Sequence, residues 1–165
     1  MAETGVIETG DTCPDFSLPA AGEKTVSKGD YAGRYLVLYF YPRADTPGCT
    51  TQAVDFTAAL PELDKLGASV LGVSKDPVKK LDKFAAKREL GIDLASDEES
   101  DLCEQFGVWK EKSMYGKTYM GIERSTFLIA PDGTVVWAQR KVKPKGHADA
   151  MVDLIRAHKA GTPLD

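Results

Sequence analysis

Continuous apolar runs separated by amphipathic segments predict strands that alternate with helices. Residues 35–41 form an apolar, aromatic run typical of a central strand that is covered on both faces. Residues 69–74 predict a second buried strand. Two further runs, 125–129 and 134–138, flank the turn-forming residues 131–133 and indicate a hairpin near the end of the chain.

Helical spacing follows the first two strands. Apolar side chains recur at intervals of three and four residues after Cys49, at Ala53, Phe56, Leu60 and Leu63. Because proline lacks an N–H group, we expect Pro61 to kink or restart this helix. Asp76 is predicted to cap the next helix, with Pro77 at its first position. A last helix is predicted over residues 148–158.

The remaining segments predict shorter elements. Residues 15–18 and 24–26 are expected to form an N-terminal hairpin. Ser96 and Glu99 have the spacing of a capping box that opens a short helix. Residues 107–122, with several aromatics, are interpreted as a loop. Together the elements predict an α/β fold, a central mixed sheet flanked by helices on both sides with an added N-terminal β-hairpin.

Size and composition limit the classes of function. A chain of 165 residues, 42% hydrophobic and 28% charged, is expected to form a single domain over residues 1–165. Its net charge of −4 argues against nucleic acid or an anionic membrane surface as the main partner. The first residues lack a secretory pattern, and no apolar run is long enough to span a bilayer.

Three cysteines, Cys13, Cys49 and Cys103, lie far apart in the sequence. Their odd number and wide spacing favour the reducing cytoplasm over a secreted disulfide scaffold. No C-x-x-C motif is present, and neither His147 nor His158 adjoins a cysteine, so no metal site is expected.

Cys49 has a context that favours a reactive thiolate. It follows the strand of residues 35–41 and lies where Pro47 and Gly48 give way to the helical pattern. The first turn of a helix has unpaired N–H groups and the positive end of the helix dipole, and both stabilise an anion. Since the thiolate is the nucleophilic form of cysteine, Cys49 is the leading candidate for a catalytic residue.

A thiolate that attacks a peroxide also needs help from its neighbours. Thr46, three residues earlier, can place a hydroxyl beside the sulfur and the substrate oxygens. Pro42 is predicted to shield the sulfur from water. Arg124, directly before the apolar run 125–129, is the best candidate for a fixed cation.

The pattern of proline, three residues, threonine, two residues and cysteine resembles the peroxiredoxin signature, which Pro42, Thr46 and Cys49 match. The similarity continues along nearly the whole chain. Segments 10–16, 39–42, 46–50, 106–109 and 121–129 are similar to the bacterioferritin comigratory protein, or peroxiredoxin Q, branch. This resemblance implies a thioredoxin-like fold and thiol-dependent reduction of hydrogen peroxide and organic hydroperoxides without a cofactor. It also implies that Cys49 is the peroxidatic cysteine, with Pro42, Thr46 and Arg124 around it.

The chain departs from that pattern at three positions. Gln52 stands where the family often has glutamate, and Val54 and Ala85 stand where relatives carry a resolving cysteine. We therefore expect the Cys49 sulfenic acid to be reduced by an external thiol such as thioredoxin, glutaredoxin or glutathione. Resolution by Cys103 after local unfolding, or replacement of a native resolving cysteine in the laboratory, are the alternatives.

Other residues receive structural interpretations. Cys103 is expected to belong to the core, and Cys13 to be structural or incidental. His147 and His158 are expected at the surface, and Gln52 is as consistent with solvent exposure as with a place in the site. A monomer is the default expectation.

Two other classes of function stay open on the sequence alone. In the first, Cys49 belongs to a redox-sensing or holdase module that acts through mixed disulfides. The second is a thioredoxin-like disulfide reductase, which the missing C-x-x-C motif disfavours.

Overall fold

The computed structural model describes residues 6–162, and a seven-stranded mixed sheet forms their centre. The strands in chain order are β1 (Ser17–Ala20), β2 (Lys24–Ser27), β3 (Tyr35–Phe40), β4 (Ala68–Ser74), β5 (Asp93–Ser96), β6 (Trp109–Met114), β7 (Lys117–Ile122), β8 (Ser125–Ile129) and β9 (Val135–Arg140). In the sheet they are ordered β2-β1-β5-β4-β3-β8-β9, and β6 and β7 form a separate hairpin. The sheet is parallel across β3, β4 and β5 and antiparallel at both sides of that group.

Within residues 6–162 there are four α-helices, of which the first three connect strands and the last follows β9, and one short 3₁₀ helix, Lys28–Tyr31, follows β2. The α-helices are α1 (Pro47–Lys65), α2 (Val78–Arg88), α3 (Leu102–Gln105) and α4 (His147–Lys159). None of the helices within residues 6–162 is long and apolar enough to cross a membrane.

Two hydrophobic layers lie on opposite faces of the sheet. Along β3, Val37 and Tyr39 pack with apolar residues of α1, α2 and α4, whereas Leu38 and Phe40 pack with residues of α3 and the N-terminal segment. This division follows from the alternation of side chains along a strand. The three long helices therefore cover one face, and the short α3 belongs to the other.

Most of the predicted strands are confirmed. The N-terminal hairpin is β1 and β2, the buried central strand is β3, and the hairpin near the end is β8 and β9. All six residues of β3 are buried, because parallel and antiparallel neighbours flank it and apolar layers cover both faces.

Two predicted helix starts were wrong, and the restart that was one alternative at Pro61 does not occur. The helix of Cys49 does not restart at Pro61, which lies inside a continuous α1. Pro77, not Asp76, is the N-cap residue of α2, because the Asp76 carboxylate accepts hydrogen bonds from the Ala44 amide and the Ser74 hydroxyl instead. Ser96 belongs to β5, the N-cap residue of α3 is Asp101, and the Asp97 carboxylate accepts hydrogen bonds from the first amides of that helix.

Two further interpretations are corrected. Residues 109–122 are not a loop, because β6 and β7 pair in register from Trp109 opposite Ile122 to Met114 opposite Lys117. His147 is not a surface residue. It begins α4, is buried, and its Nε2 lies 2.8 Å from the Thr126 hydroxyl on β8.

Candidate active site

Cys49 lies in the first turn of α1, as predicted. Thr46 is the N-cap residue in extended conformation, and Pro47 opens the helix with the fixed φ that suits that position. Cys49 is 1% exposed and packs in the layer that also contains Tyr39 and Tyr41. The helix start therefore presents its positive end to a sulfur that is largely withdrawn from water.

Arg124 supplies the cation at this sulfur. Its Nη2 donates to Cys49 Sγ over 3.4 Å, although 75 residues separate the two in the sequence. The residue lies between β7 and β8, where the Glu123 amide donates to the Val108 carbonyl and the Arg124 carbonyl accepts from the Val142 amide. Backbone hydrogen bonds thus fix the position from which the guanidinium reaches the sulfur.

Gln52 holds the other nitrogen of the guanidinium. Arg124 Nη1 donates to Gln52 Oε1 over 2.8 Å, and Gln52 is 1% exposed. Gln52 therefore belongs to the site and does not face solvent. One turn of α1 therefore carries both Cys49 and the group that orients the Arg124 guanidinium.

Gly48 leaves the room that the guanidinium occupies. A Cβ atom at this position would lie 3.0 Å from Arg124 Nη2 and 3.3 Å from Pro144 Cγ. A larger residue before Cys49 would therefore displace either the arginine or the helix start.

Thr46 and Pro42 lie in the segment between β3 and α1 that precedes Cys49. The Thr46 hydroxyl donates to the Arg43 carbonyl over 2.9 Å, so its hydrogen is directed into the loop and its lone pairs are left to accept. Pro42 is exposed. Both residues line one wall of a cavity of about 560 Å³, whose other wall is formed by the β6–β7 hairpin.

The cavity has a mixed apolar and cationic lining. Its apolar part includes Trp109, Met120 and Ile122, and its cationic part includes Lys75 and Lys112. Cys49 itself does not line it. Residues 42–46 and the β6–β7 hairpin thus border a space that is large enough for a small organic molecule.

Two groups near the site were not anticipated from the sequence. The Tyr39 ring stacks on Phe56 with 5.0 Å between the ring centres, and burial raises the pKa of its phenol. Burial, together with the Arg124 charge, lowers the pKa of His147 to about 4, so this imidazole is neutral at neutral pH. The helical spacing of Phe56 predicted an apolar face, but no sequence signal marked its aromatic and imidazole neighbours.

Cys103 and Cys13 have environments unlike that of Cys49. Cys103 is fully buried in the layer on the opposite face of the sheet, and burial, followed by the Asp97 charge, raises the pKa of its thiol. Burial also raises the pKa of the Cys13 thiol, to about 11. Both are therefore protonated near neutral pH, in agreement with the expected core role of Cys103.

Within residues 6–162, no group of three or more His, Cys, Asp or Glu side chains could hold a metal ion. The chemistry that the site offers is that of a sulfur, a guanidinium and the first turn of a helix.

Comparison with known proteins agrees with this chemistry. Residues 9–138 match the AhpC/TSA family. The chain is 53% identical to peroxiredoxin Bcp of Xanthomonas campestris over 144 residues, which are 87% of this chain and 90% of that protein. It is 44% identical to peroxiredoxin Bcp of Escherichia coli over 152 residues, which are 92% of this chain and 97% of that protein.

Solved structures extend the similarity to the fold. A PrxQ structure from Xylella fastidiosa superposes with a TM-score of 0.88 at 42% identity and covers 93% of this chain and 98% of that one. A structure of the bacterioferritin comigratory protein of Xanthomonas campestris, described for its alkyl peroxide reduction activity, has a TM-score of 0.82 at 52% identity. It covers 87% of this chain and 91% of that one. The thioredoxin-like fold is therefore confirmed. The chain belongs to the AhpC/TSA family and is a thiol peroxidase of the peroxiredoxin Bcp branch.

Proposed function

We propose that Cys49 is the peroxidatic nucleophile of this thiol peroxidase. The hydrogen bond from Arg124 Nη2 to Cys49 Sγ is the observation that carries the proposal, because it brings a permanent cation to a sulfur already at a helix start. Cys13 and Cys103 are buried thiols with raised pKa values and have no such partner among the described residues. Cys49 is thus the thiol best suited to attack a peroxide.

The oxidative step follows from these positions. The Cys49 thiolate attacks the terminal oxygen of hydrogen peroxide or an organic hydroperoxide. The S–O bond forms as the O–O bond breaks, and the departing hydroxide or alkoxide takes a proton from water. Arg124 and the N–H groups of the first turn stabilise the negative charge as it moves from sulfur to oxygen. Thr46 can accept a hydrogen bond from the peroxide, and Pro42 limits access of water.

An external thiol completes the cycle. The Cys49 sulfenic acid condenses with a thiol of thioredoxin, glutaredoxin or glutathione, which releases water and forms a mixed disulfide. A second thiol then reduces that disulfide. Cys103 belongs to the layer on the other face of the sheet from Cys49, and Val54 and Ala85 contribute no sulfur. These placements support the external route over an internal disulfide.

The oligomeric state, the cellular compartment and the need for cofactors are the remaining parts of the proposal. We infer a single-domain monomer that works in the cytoplasm, where thiols that could reduce Cys49 are abundant. No organic cofactor or metal takes part in the scheme. The named relatives are peroxiredoxins, which favours catalytic turnover over a sensing or holdase role.

Rapid-mixing kinetics of reduced protein with peroxide test the role of Cys49. We expect Cys49→Ser to lose peroxide consumption and Cys13→Ser, the matched control at a buried thiol, to keep it. Peroxide consumption by Cys49→Ser at the rate of the parent would overturn the assignment.

Mass spectrometry under non-reducing conditions tests the route of reduction. After one equivalent of peroxide, we expect a sulfenic acid at Cys49, and a mixed disulfide at the same residue when glutathione is added. A Cys49–Cys103 disulfide within one chain would contradict the external-thiol cycle.

A further inference from the structure

Lys112 is buried more than its neighbours on the β6–β7 hairpin. The hairpin is largely exposed, with Tyr115 at its tip 96% accessible, and Glu111 and Ser113 on either side of Lys112 are exposed. Lys112 is half-buried and lines the cavity between the hairpin and residues 42–46. An ammonium group loses hydration in such a place, so a specific reason for its position is needed.

The backbone fixes this side chain. Lys112 Nζ donates to the carbonyl of Ile122, two residues before Arg124. Its stem crosses Gly121, where a Cβ atom would lie 3.1 Å from Lys112 Cδ and 3.3 Å from Cε. A residue without a side chain at 121 therefore leaves room for the lysine stem, and the ammonium is held at the base of the hairpin.

Lys112 also differs from the other lysine of the cavity. Lys75 is paired with Asp97 at 3.2 Å and Glu104 at 2.8 Å, and its ammonium lies 5.3 Å from the centre of the Trp109 ring. For Lys112, no carboxylate within residues 6–162 lies in ion-pair distance, which leaves its charge uncompensated by a direct contact.

The charged groups around Lys112 are Arg124, Glu123 and Cys49, and they indicate which anion its ammonium group can stabilise. Burial lowers the pKa of Lys112, and so does the nearby Arg124 cation, whereas the charges of Glu123 and Cys49 act in the opposite direction. Two cations held close to each other repel unless an anion lies between or beside them. The anions of the reaction are the Cys49 thiolate and the departing oxygen.

We propose that Lys112 is a second cation of the site, fixed by the Ile122 carbonyl and directed toward the cavity, where it stabilises the Cys49 thiolate and the departing oxygen. In the attack the sulfur donates an electron pair to the terminal peroxide oxygen, and the O–O pair leaves with the second oxygen. Lys112 keeps its proton in this scheme, and water protonates the departing oxygen. The proposal rests on Cys49 being the nucleophile.

Three substitutions separate charge from structure. Lys112→Met removes the ammonium and keeps most of the stem, Lys112→Arg keeps the charge, and Lys110→Met is the control at an exposed lysine of the same strand that does not line the cavity. The measured quantities are the second-order rate constants of oxidation by hydrogen peroxide and by cumene hydroperoxide. The rate of alkylation by iodoacetamide across pH is measured alongside, since it follows the thiolate fraction.

We expect Lys112→Met to slow oxidation by about tenfold or more and to move the midpoint of the alkylation curve to higher pH, because one preorganised charge is lost. Lys112→Arg should recover most of the rate, and Lys110→Met should match the parent. A Lys112→Met protein with the parent's oxidation rate and alkylation midpoint would overturn the proposal. So would equal losses in Lys112→Met and Lys112→Arg. Cys49→Ser is measured in the same assay. If it is inactive while the Lys112 proposal fails, the failure concerns Lys112 and leaves the assignment of Cys49 intact.

Discussion

Arg124 has a long, flexible side chain, so its effect on the sulfur depends on what holds the guanidinium in place. One nitrogen of the fork contacts Cys49, and another contacts the amide oxygen of Gln52. A neutral amide orients the guanidinium without neutralising it, whereas a carboxylate at position 52 would form an ion pair with it. Gln52 therefore leaves the positive charge available to the sulfur.

Replacing Gln52 tests this orientation. We expect Gln52→Leu to lower the rate constant of Cys49 oxidation about tenfold, because a hydrogen bond to a charged group contributes roughly 1.5–3 kcal/mol. Gln52→Glu restores an acceptor and should stay within a few-fold of the parent. Stopped-flow kinetics with hydrogen peroxide measure both variants. Parent-like oxidation of Gln52→Leu would show that Arg124 does not need this anchor.

The sequence predicted the members of the site better than their contacts. A helix start and an arginine before a strand were enough to bring Cys49 and Arg124 forward as candidates, and the structure places them in contact. The direction of the Thr46 hydroxyl could not be read from spacing, since a threonine near a turn has several acceptors within reach. The burial of His147 depends on Thr126, a distant partner that local sequence does not reveal.

Asp97 shows how one buried carboxylate can replace a predicted capping box. Its two oxygens accept hydrogen bonds from the Leu102 and Cys103 amides, and Lys75 lies 3.2 Å away as its countercharge. Asp97 is fully buried, so these partners replace its hydration. The carboxylate thereby ties the start of α3 to the end of β4, where Lys75 follows the strand.

Removing this carboxylate should destabilise the whole chain. We expect Asp97→Ala to lower the free energy of unfolding by about 3 kcal/mol, because it uncaps α3 and leaves Lys75 without its buried partner. Urea denaturation measures the loss, and reaction of Cys103 with a thiol reagent should become faster. Glu104→Ala, which removes the half-exposed partner of Lys75, should cost less than about 1 kcal/mol. Equal stabilities of the two variants would contradict this account of α3.

The β6–β7 hairpin was not predicted from the sequence. Most of its residues are exposed, and it lacks the alternation of apolar and polar positions that marks a half-buried strand. It pairs with itself and not with the main sheet. The buried strands β3, β4 and β8, by contrast, were predictable because continuous apolar runs are required where both faces of a sheet are covered.

The stability of the whole molecule should depend on pH through His147. Its pKa in the folded chain is lowered to about 4, first by burial and then by Arg124, whereas an unfolded histidine titrates near ~6.5. Between these values the unfolded state binds more protons, so stability falls as the pH falls through this window. The difference between pH 7 and pH 4.5 should be about 2–3 kcal/mol for this residue.

Denaturation curves at both pH values isolate that contribution. We expect His147→Gln, which can still hydrogen bond to Thr126, to lose less stability on acidification than the parent. His158→Gln on the same helix is the control for replacing an imidazole by an amide. An unchanged pH dependence in His147→Gln would show that His147 does not couple folding to protonation.

The central sheet separates the thiols of Cys49 and Cys103. Cys49 belongs to the layer of Val37 and Tyr39, and Cys103 to the layer of Leu38 and Phe40, so the sheet lies between them. A disulfide needs Cα atoms within about 7 Å, and α3 would have to leave Asp97 and its apolar layer to supply one. The fold therefore opposes a direct disulfide between Cys49 and Cys103.

Steady-state peroxide reduction with an added thiol tests whether Cys103 takes part in the cycle. We expect Cys103→Ser to keep the steady-state rate of peroxide reduction within about twofold of the parent at saturating reductant, since a one-cysteine cycle does not use residue 103. Measuring with thioredoxin and with glutathione separates the protein reductant from the small thiol. A loss of turnover with normal first-cycle oxidation would instead assign Cys103 to the reductive half of the cycle. That outcome would require α3 to open during catalysis, and Asp97→Ala, which loosens α3, should then accelerate the reductive step.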